Sequence, residues 1–366
     1  MRHTLLLILS LSVGLNCFSQ KAQIGLPIIF DPDSVLKLMY RVNGHFAENA
    51  WKQNDRNWIR ATYYTGLMAF YQVTNDSIVL NQMMAWGQKH GWKTGSEWIY
   101  PANRLTCSQT WIQLYQLDQK PYMIENTRAF MDKRIERNEH AFDAGWDYVD
   151  ALYVGAPAYF MMSEITGDSK YKIYADRIFR EVTDQLYDTT YHLYFRDLKA
   201  KLTTSENGKP EFWSRGNGWA FAAITKILTI LPESDPMTDY YKKFYFQMAE
   251  SLAQSQGKDG FWRSSLLDPD DYPDPESSGT AFFTYGLAWG INTGILERES
   301  YLPVLIKSWD ALYHAVDENG KVCRGQDVAR APGNVSKSDS REFVSGAFLL
   351  AASEVYKLSL NQFKKE

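Results

Sequence analysis

Cysteine is scarce in this 366-residue chain. Only Cys17, Cys107 and Cys323 occur, too few for a disulfide framework, although Cys107 and Cys323 leave room for one bridge. The six histidines are scattered, with no HExxH and no Cys/His cluster at metal-ligand spacing, so neither a metal nor another cofactor is expected. The GxxxxGK phosphate loop, the G-x-G-x-x-G dinucleotide turn and the Gly-x-Ser-x-Gly nucleophile elbow are all missing. No run of Lys or Arg appears and the net charge is −4, which removes the electrostatic footprint of a nucleic-acid binder. Long apolar runs are confined to the N-terminus, where Arg2 and His3 precede Leu5 to Leu15 and then Asn16-Cys17-Phe18-Ser19-Gln20. That is the layout of an export signal, and it is too short for a membrane span. Residues 1–20 are therefore expected to be a signal peptide, leaving 21–366 as one exported domain, periplasmic or secreted. A lipoprotein anchor at Cys17 is disfavoured by Gly14 and Asn16. Beyond the signal, no apolar stretch reaches the ~20 residues of a span, and no membrane insertion is expected.

The excess is in aromatics: 15% of residues, with 12 Trp and 23 Tyr. Such side chains fill cores, and their flat faces with polar edges also suit sugar rings. Helical periodicity runs from end to end, as in Ile59, Tyr63, Leu67 and Phe70, in Phe221, Ile224, Leu228 and Leu231, and in Phe348, Ala351, Val355 and Leu358. Tyr71-Gln-Val-Thr-Asn-Asp76 and Glu164-Ile-Thr-Gly-Asp168 each stop one helix with a polar turn and open the next, and Asn292-Thr-Gly294 is a further helix stop. Helix hairpins recur at intervals of about fifty residues, and six would fill the mature chain. An open solenoid and a closed toroid both fit this period. The helices around Trp58 and Trp219, apolar on most sides, favour closure. Asp188–Asp197 and Gly260–Leu267 are expected as short strands or ordered loops at a cleft.

What remains for chemistry is carboxylates, aromatics and a few arginines. In Gly145-Trp-Asp-Tyr-Val-Asp-Ala-Leu-Tyr-Val-Gly-Ala-Pro157, Asp147 and Asp150 are expected on adjacent faces of one helical turn. Either acid among these apolar neighbours is a satisfied or capping residue, or it has the raised pKa that a general acid near neutral pH needs. Phe212-Trp-Ser-Arg-Gly-Asn-Gly-Trp219 places Trp213 and Arg215 before a helix expected near Trp219. Trp213 offers a stacking face and Arg215 a fork for a carboxylate, while Gly216 and Gly218 let the backbone approach a ligand. Trp262 and Arg263 repeat the pairing and, with Glu276, suggest a rim of the same cleft. Trp146, His140, Arg104 and Arg196 are further single candidates. Together these features favour an anionic sugar as ligand.

The ordered blocks DALYVGAP, HLYFRD, FWSRGNGW, GFWRSSLLDP, ESSGTAFFTYGLAWGIN and GAFLLAASEVYKL resemble glycoside hydrolase family 105, the unsaturated rhamnogalacturonyl or glucuronyl hydrolases, related to family 88. The resemblance spans about Trp58 to Leu358. It implies an all-α, (α/α)6 toroid. It also implies a substrate oligosaccharide ending in a 4,5-unsaturated uronic acid, and Asp150 as the group that protonates C4 and then activates the water that adds to C5. By the same resemblance, Trp213, Arg215 and Tyr64 contact the sugar, Asn103 stands where the family often has an acid, and Arg196 stands where some members have a His. An extra guanidinium at Arg196 suggests a sulfate or a second carboxylate on the leaving sugar. Trp146, Trp219, Trp262, Arg263 and His140 complete the candidate sugar-contacting set. Two other readings keep the fold: a hydrolase of saturated glycosides using Asp147 with Asp150, and a sugar-binding toroid without catalysis, which Asn103 favours.

Overall fold

A computed structural model describes residues 26–49 and 56–363. The expected signal peptide and Cys17 lie outside the described residues. Thirteen helices are named among those described: α1 (Pro32–Asn49), α2 (Trp58–Thr74), α3 (Ser77–Lys89), α4 (Thr106–Asp118), α5 (Glu125–Arg137), α6 (Ala151–Val154), α7 (Ala156–Thr166), α8 (Lys170–Leu186), α9 (Ser214–Ile230), α10 (Thr238–Ser255), α11 (Ser277–Thr293), α12 (Arg298–Ala315) and α13 (Glu342–Phe363). α2 packs on α4, α4 on α7, α7 on α9, α9 on α11, α11 on α13, and α13 back on α2. That closed cycle is an inner ring, so the array is a toroid and not a solenoid. α1, α3, α5, α8, α10 and α12 form the outer layer.

Burial explains the contrast between the layers. Every residue from Ser214 to Leu228 of α9 and from Ser277 to Ile291 of α11 is buried, because an inner helix is enclosed on all sides. The outer α8 buries one stripe, Tyr171, Tyr174, Ala175, Ile178, Phe179 and Val182 among it. The polar turns act as stops and starts: Asn75 adopts the left-handed conformation after α2, and the Asp76 carboxylate accepts from the Ile78 amide to cap α3. Gly294, at φ 74°, ends α11 in the same way.

The seam between α2 and α13 closes the ring. A Cβ on Gly66 would overlap the Gly346 carbonyl, and one on Gly346 would overlap the Thr62 carbonyl, so both glycines are there to let two backbones touch. Beside them, buried Arg60 of α2 donates to buried Glu342 of α13 through Nη2 at 2.6 Å and Nε at 3.2 Å. Residues 342–361 of α13 are long and apolar enough to cross a membrane by length and composition, which corrects the expectation that no further stretch would be; 83% of that window is buried inside the protein. Glu342, Glu354 and Lys357 break up its apolar run in the sequence. Cys107 and Cys323 are both free thiols.

Two small antiparallel ladders lie between helices, β1 (Tyr187–Asp188) with β2 (Leu193–Tyr194), and β3 (Trp262–Arg263) with β4 (Pro275–Glu276). β2 falls within Asp188–Asp197, with β1 at its edge, and β3 falls within Gly260–Leu267, the two segments expected to be strands or ordered loops, whereas β4 lies downstream of both.

Candidate active site

A cavity of about 130 Å³ opens at the end of the ring where the inner helices begin. Its wall is drawn from those starts: Trp58 of α2, Asn103 just before α4, Asp150 and Val154 at α6, and Trp213, Arg215 and Trp219 at α9. Tyr100, Tyr148, Arg196 and the segment Val328-Ala329-Arg330 complete it.

Asp150 is the one carboxylate lining this cavity among the described residues. Gly145 turns the chain with φ 76°, and the Val149 amide donates to the Arg196 carbonyl at 2.8 Å, so residues 146–149 are not helical. α6 starts only at Ala151, which corrects the expectation that Asp147 and Asp150 share a helical turn. Asp147 is exposed and outside the cavity, whereas the Asp150 side chain keeps 18% of its surface. Although Asp150 stands at the N-cap position, it makes no capping hydrogen bond, and its Oδ2 is buried without a hydrogen-bond partner. Burial raises its pKa, while Arg196, and less strongly Arg215, pull it down. A carboxyl held this way stays protonated to higher pH than an ordinary Asp and remains free to give and take a proton.

Arg196 supplies the nearest counter-charge. Its Nε lies 3.7 Å from Asp150 Oδ2, its Nη1 donates to Asp197 at 2.7 Å, and its guanidinium lies over the Tyr148 ring at 5.2 Å. The Tyr148 hydroxyl donates to Asn103 Oδ1 at 2.6 Å, which fixes Asn103 in the wall. Arg196 Nε and Trp219 Nε1 are, like Asp150 Oδ2, buried without hydrogen-bond partners. Two donors and one acceptor left open in one cavity are what a bound sugar would satisfy.

Trp213 and Arg215 do line the cavity, in a different posture from the one expected. α9 begins at Ser214, so Arg215 is already in its first turn. Trp213 is 1% exposed and donates through Nε1 to Gln326 Oε1 at 2.8 Å. Arg215 is stacked between Trp213 and Phe343, at 4.5 and 4.8 Å, and donates to the carbonyls of Gln326 and Asp327 at 2.7 and 2.8 Å. Burial lowers its pKa to about 10, with Glu276 and Asp150 opposing, so it remains a cation at neutral pH. Its visible work is to hold the Val328–Arg330 wall in place. Gly216 and Gly218 serve helix packing instead of ligand approach: a Cβ there would lie 3.1 Å from the Trp213 ring and 3.0 Å from Phe282 Cβ.

Five of the expected contacts fall outside the cavity. Tyr64 is stacked on Trp86 with centroids 3.7 Å apart. The exposed His140 pairs with Glu181 at 3.2 Å. Trp146 fills the space left by the missing side chain of Gly155. Trp262 is fully buried, donating to the Leu252 carbonyl at 2.9 Å. Arg263 is bidentate to Asp259, both at 3.0 Å, and lines a separate pocket beside Tyr191. Arg104 stacks on Phe130 at 4.7 Å and donates to Thr94. Glu276 caps α11 through the Ser278 and Gly279 amides and accepts from the Gln326 amide at 3.2 Å, so it supports the wall from behind. Aromatics near a motif are core as readily as ligand platform, and spacing alone does not separate the two. Trp58, Tyr100, Tyr148 and Val328–Arg330 were not anticipated. Tyr148 lay within the quoted acidic block, but the polar segment Gly325-Gln-Asp-Val-Ala-Arg330 has no periodicity to draw notice. No group of three or more His, Cys, Asp or Glu able to hold a metal occurs among the described residues.

The family model described as Glycosyl Hydrolase Family 88 matches residues 35–359. A protein of Alteromonas sp. (strain LOR) described as an unsaturated 3S-rhamnoglycuronyl hydrolase is 35% identical over 330 residues, 84% of this chain and 79% of that protein. A solved structure of a glycosyl hydrolase family 88 protein from Bacteroides vulgatus superposes with a TM-score of 0.84 at 32% identity, covering 89% of this chain and 99% of that one. A possible member of the GH105 family from Salmonella enterica shares the fold, with a TM-score of 0.77 at 17% identity, over 91% of this chain and 95% of that one.

Proposed function

We infer, from the premise that this chain belongs to Glycosyl Hydrolase Family 88, that it removes the terminal 4,5-unsaturated uronic acid from oligosaccharides made by polysaccharide lyases. The observation that carries the reading is the single open carboxyl of Asp150 among cationic and aromatic walls. A bond flanked by two carboxylates is the usual glycosidase arrangement, and among the described residues the cavity offers no second acid. Hydration of the vinyl ether needs only one. Protonated Asp150 gives its proton to C4, the C4–C5 electron pair forms the new C–H bond, and positive charge is shared between C5 and the ring oxygen. The resulting Asp150 carboxylate takes a proton from the water that adds to C5. The hemiketal then opens and releases the neighbouring sugar. This is the chemistry to which the resemblance to family 105 points, and we place the protein beside that family in mechanism.

Arg196 and Arg215 give the cavity the positive charge that a uronate requires, and Trp219 Nε1 and Arg196 Nε offer it open donors. The same proposal has the enzyme exported, supported by the basic, apolar and small-residue layout of residues 1–20. The test is to mix the protein with lyase-generated disaccharides from several acidic polysaccharides and follow the ultraviolet absorbance of the C=C bond. Loss of absorbance with at least one of them is expected, and retention with all would sink the reading.

The pH dependence follows from Asp150. Because its pKa is raised in the folded protein, the protonated form needed for the first step persists above the ordinary Asp value of about 3.9. kcat/KM should therefore be level at low pH and fall on the alkaline side, at a pH above that value. Arg196 lowers this pKa, so Arg196→Gln should move the falling limb to higher pH. A pH–rate profile of the two proteins checks both; an unmoved limb would mean that Arg196 does not act on Asp150.

A further inference from the structure

Beside the catalytic cavity lies a groove of about 590 Å³, against about 130 Å³ for the cavity itself. One pair of extended segments divides them. The Leu266 amide donates to the Phe212 carbonyl at 2.9 Å and the Ser214 amide to the Ser264 carbonyl at 2.8 Å; Trp213 then lines the cavity and Leu266 the groove. On the other flank Leu193 lines the groove and Arg196 the cavity, and three residues of chain span at most about 11 Å. The last turn of α10, with Ser251, Gln254 and Ser255, closes the far side. Groove and cavity therefore open next to each other, where α10 ends and α9 begins.

The floor of the groove is apolar and firmly held. Leu193 and Leu266 are buried, the Thr190 and Tyr191 amides both donate to Asp188 Oδ1 at 2.8 and 2.9 Å, and Gln256 Nε2 donates to the Gly260 and Val304 carbonyls at 3.1 and 3.0 Å. Its rim is polar but carries no open cation, because the fork of Arg263 is spent on Asp259. Asp270 is the one carboxylate in the lining. A sulfate or uronate finds no attraction there, and an apolar helix would strand the hydroxyls and amides. Tyr191 is 40% exposed and its ring is set against Phe212 with centroids 5.5 Å apart, so it presents one fixed face. The Tyr191 hydroxyl, the Gln254 amide and the Asp270 carboxylate have no partners among the described residues. An aromatic face flanked by open hydroxyl, amide and carboxylate groups matches a neutral pyranose, apolar on its faces and rich in donors and acceptors at its edge.

We propose that this groove is a second saccharide site, which holds an uncharged sugar unit of a polysaccharide chain away from the bond that is cleaved. The assignment rests on the function inferred above only in that the protein meets polysaccharide fragments; binding in the groove needs no turnover. The unit has two sources with the same chemistry, the far end of the substrate chain or a neighbouring polymer. Either one tethers the enzyme where cleavable ends are concentrated.

The test is calorimetric titration of Asp150→Asn with neutral hexaoses of β-linked xylose, glucose and galactose, before and after Tyr191→Ala, Tyr191→Phe or Asp270→Ala is added. At least one hexaose should bind. Tyr191→Ala should weaken it by about tenfold, the loss of one stacking face, whereas Tyr191→Phe should keep most of the affinity and Asp270→Ala should lower it. Should Tyr191→Ala also melt lower, the exposed Asp270 carries the test. In the otherwise wild-type protein, Tyr191→Ala should leave kcat and KM on an unsaturated disaccharide unchanged. An unsaturated hexasaccharide with neutral units at its far end separates the sources: a raised KM in Tyr191→Ala places that end in the groove, and an equal KM assigns the groove to a second polymer. No binding of any hexaose, or binding that both Tyr191→Ala and Asp270→Ala leave unchanged, would overturn the site and leave the hydrolytic reading standing. Hexaose binding without turnover of any unsaturated disaccharide would sink the hydrolytic reading and keep the site.

Discussion

Asp150→Asn should lower kcat on an unsaturated disaccharide by about four orders of magnitude, the upper end of what one acid–base group supplies. Both proton transfers pass through the same carboxyl, and the amide can neither give the first proton nor take the second. The replacement is nearly isosteric, and Asp150 Oδ2 has no hydrogen-bond partner to lose, so the cavity should keep its shape and its affinity. Stability should move in the opposite direction to activity. The pKa of Asp150 is raised in the folded protein, so between the unfolded and the folded value the native state holds more protons than the unfolded state. Stability contributed by this group therefore falls as pH rises through that window. At neutral pH the Asn variant should melt no lower than wild type, and higher if the carboxylate is ionised there. Steady-state assays and thermal melts at pH 7 check both halves; an inactive variant that also unfolds would show a structural loss instead of a catalytic one.

The second large effect belongs to the ring. Gly346→Val should destabilise the protein by more than about 3 kcal/mol, beyond the usual range for overpacking, because the new side chain meets the backbone at Thr62 and Tyr63 and backbone gives way less easily than a flexible side chain. For a chain of this size a fall in Tm of roughly 5 to 10 °C is expected. The Gly66–Gly346 contact is the place where the last inner helix meets the first, so a melt that did not change would mean that closure does not depend on this seam. Thermal unfolding followed by circular dichroism is sufficient.

The helices were legible because their signals are local. Polar turns such as Thr74-Asn-Asp76 carry both a left-handed stop and a side-chain cap, and the apolar stripe of an outer helix such as α8 is set by its own period. Closure was not legible in that way, since Gly66 and Gly346 are far apart in the sequence and neither announces its partner. Asp150 stood out because an acid in an apolar block has few bland explanations. The arginines did not sort themselves: Arg215, Arg196 and Arg330 differ only in which carbonyls, carboxylates and rings surround them, and many of those neighbours come from segments far away in the sequence, as in the bond from Arg215 to Asp327, 112 positions on. Tyr64, Trp146 and Trp262 show the converse, aromatics expected to contact the sugar that the fold uses for packing.

The central claim is that one carboxyl hydrates the C4–C5 double bond. The most direct measurement is the reaction run in D2O with the keto-acid product examined by nuclear magnetic resonance as it forms. The account predicts one solvent deuteron at C4, delivered to a single face of the sugar by Asp150, and no free unsaturated monosaccharide on the way. Early release of the unsaturated monosaccharide, or deuterium spread over both faces of C4, would mean that the glycosidic bond breaks first and the double bond is lost afterwards without the enzyme, and would contradict it.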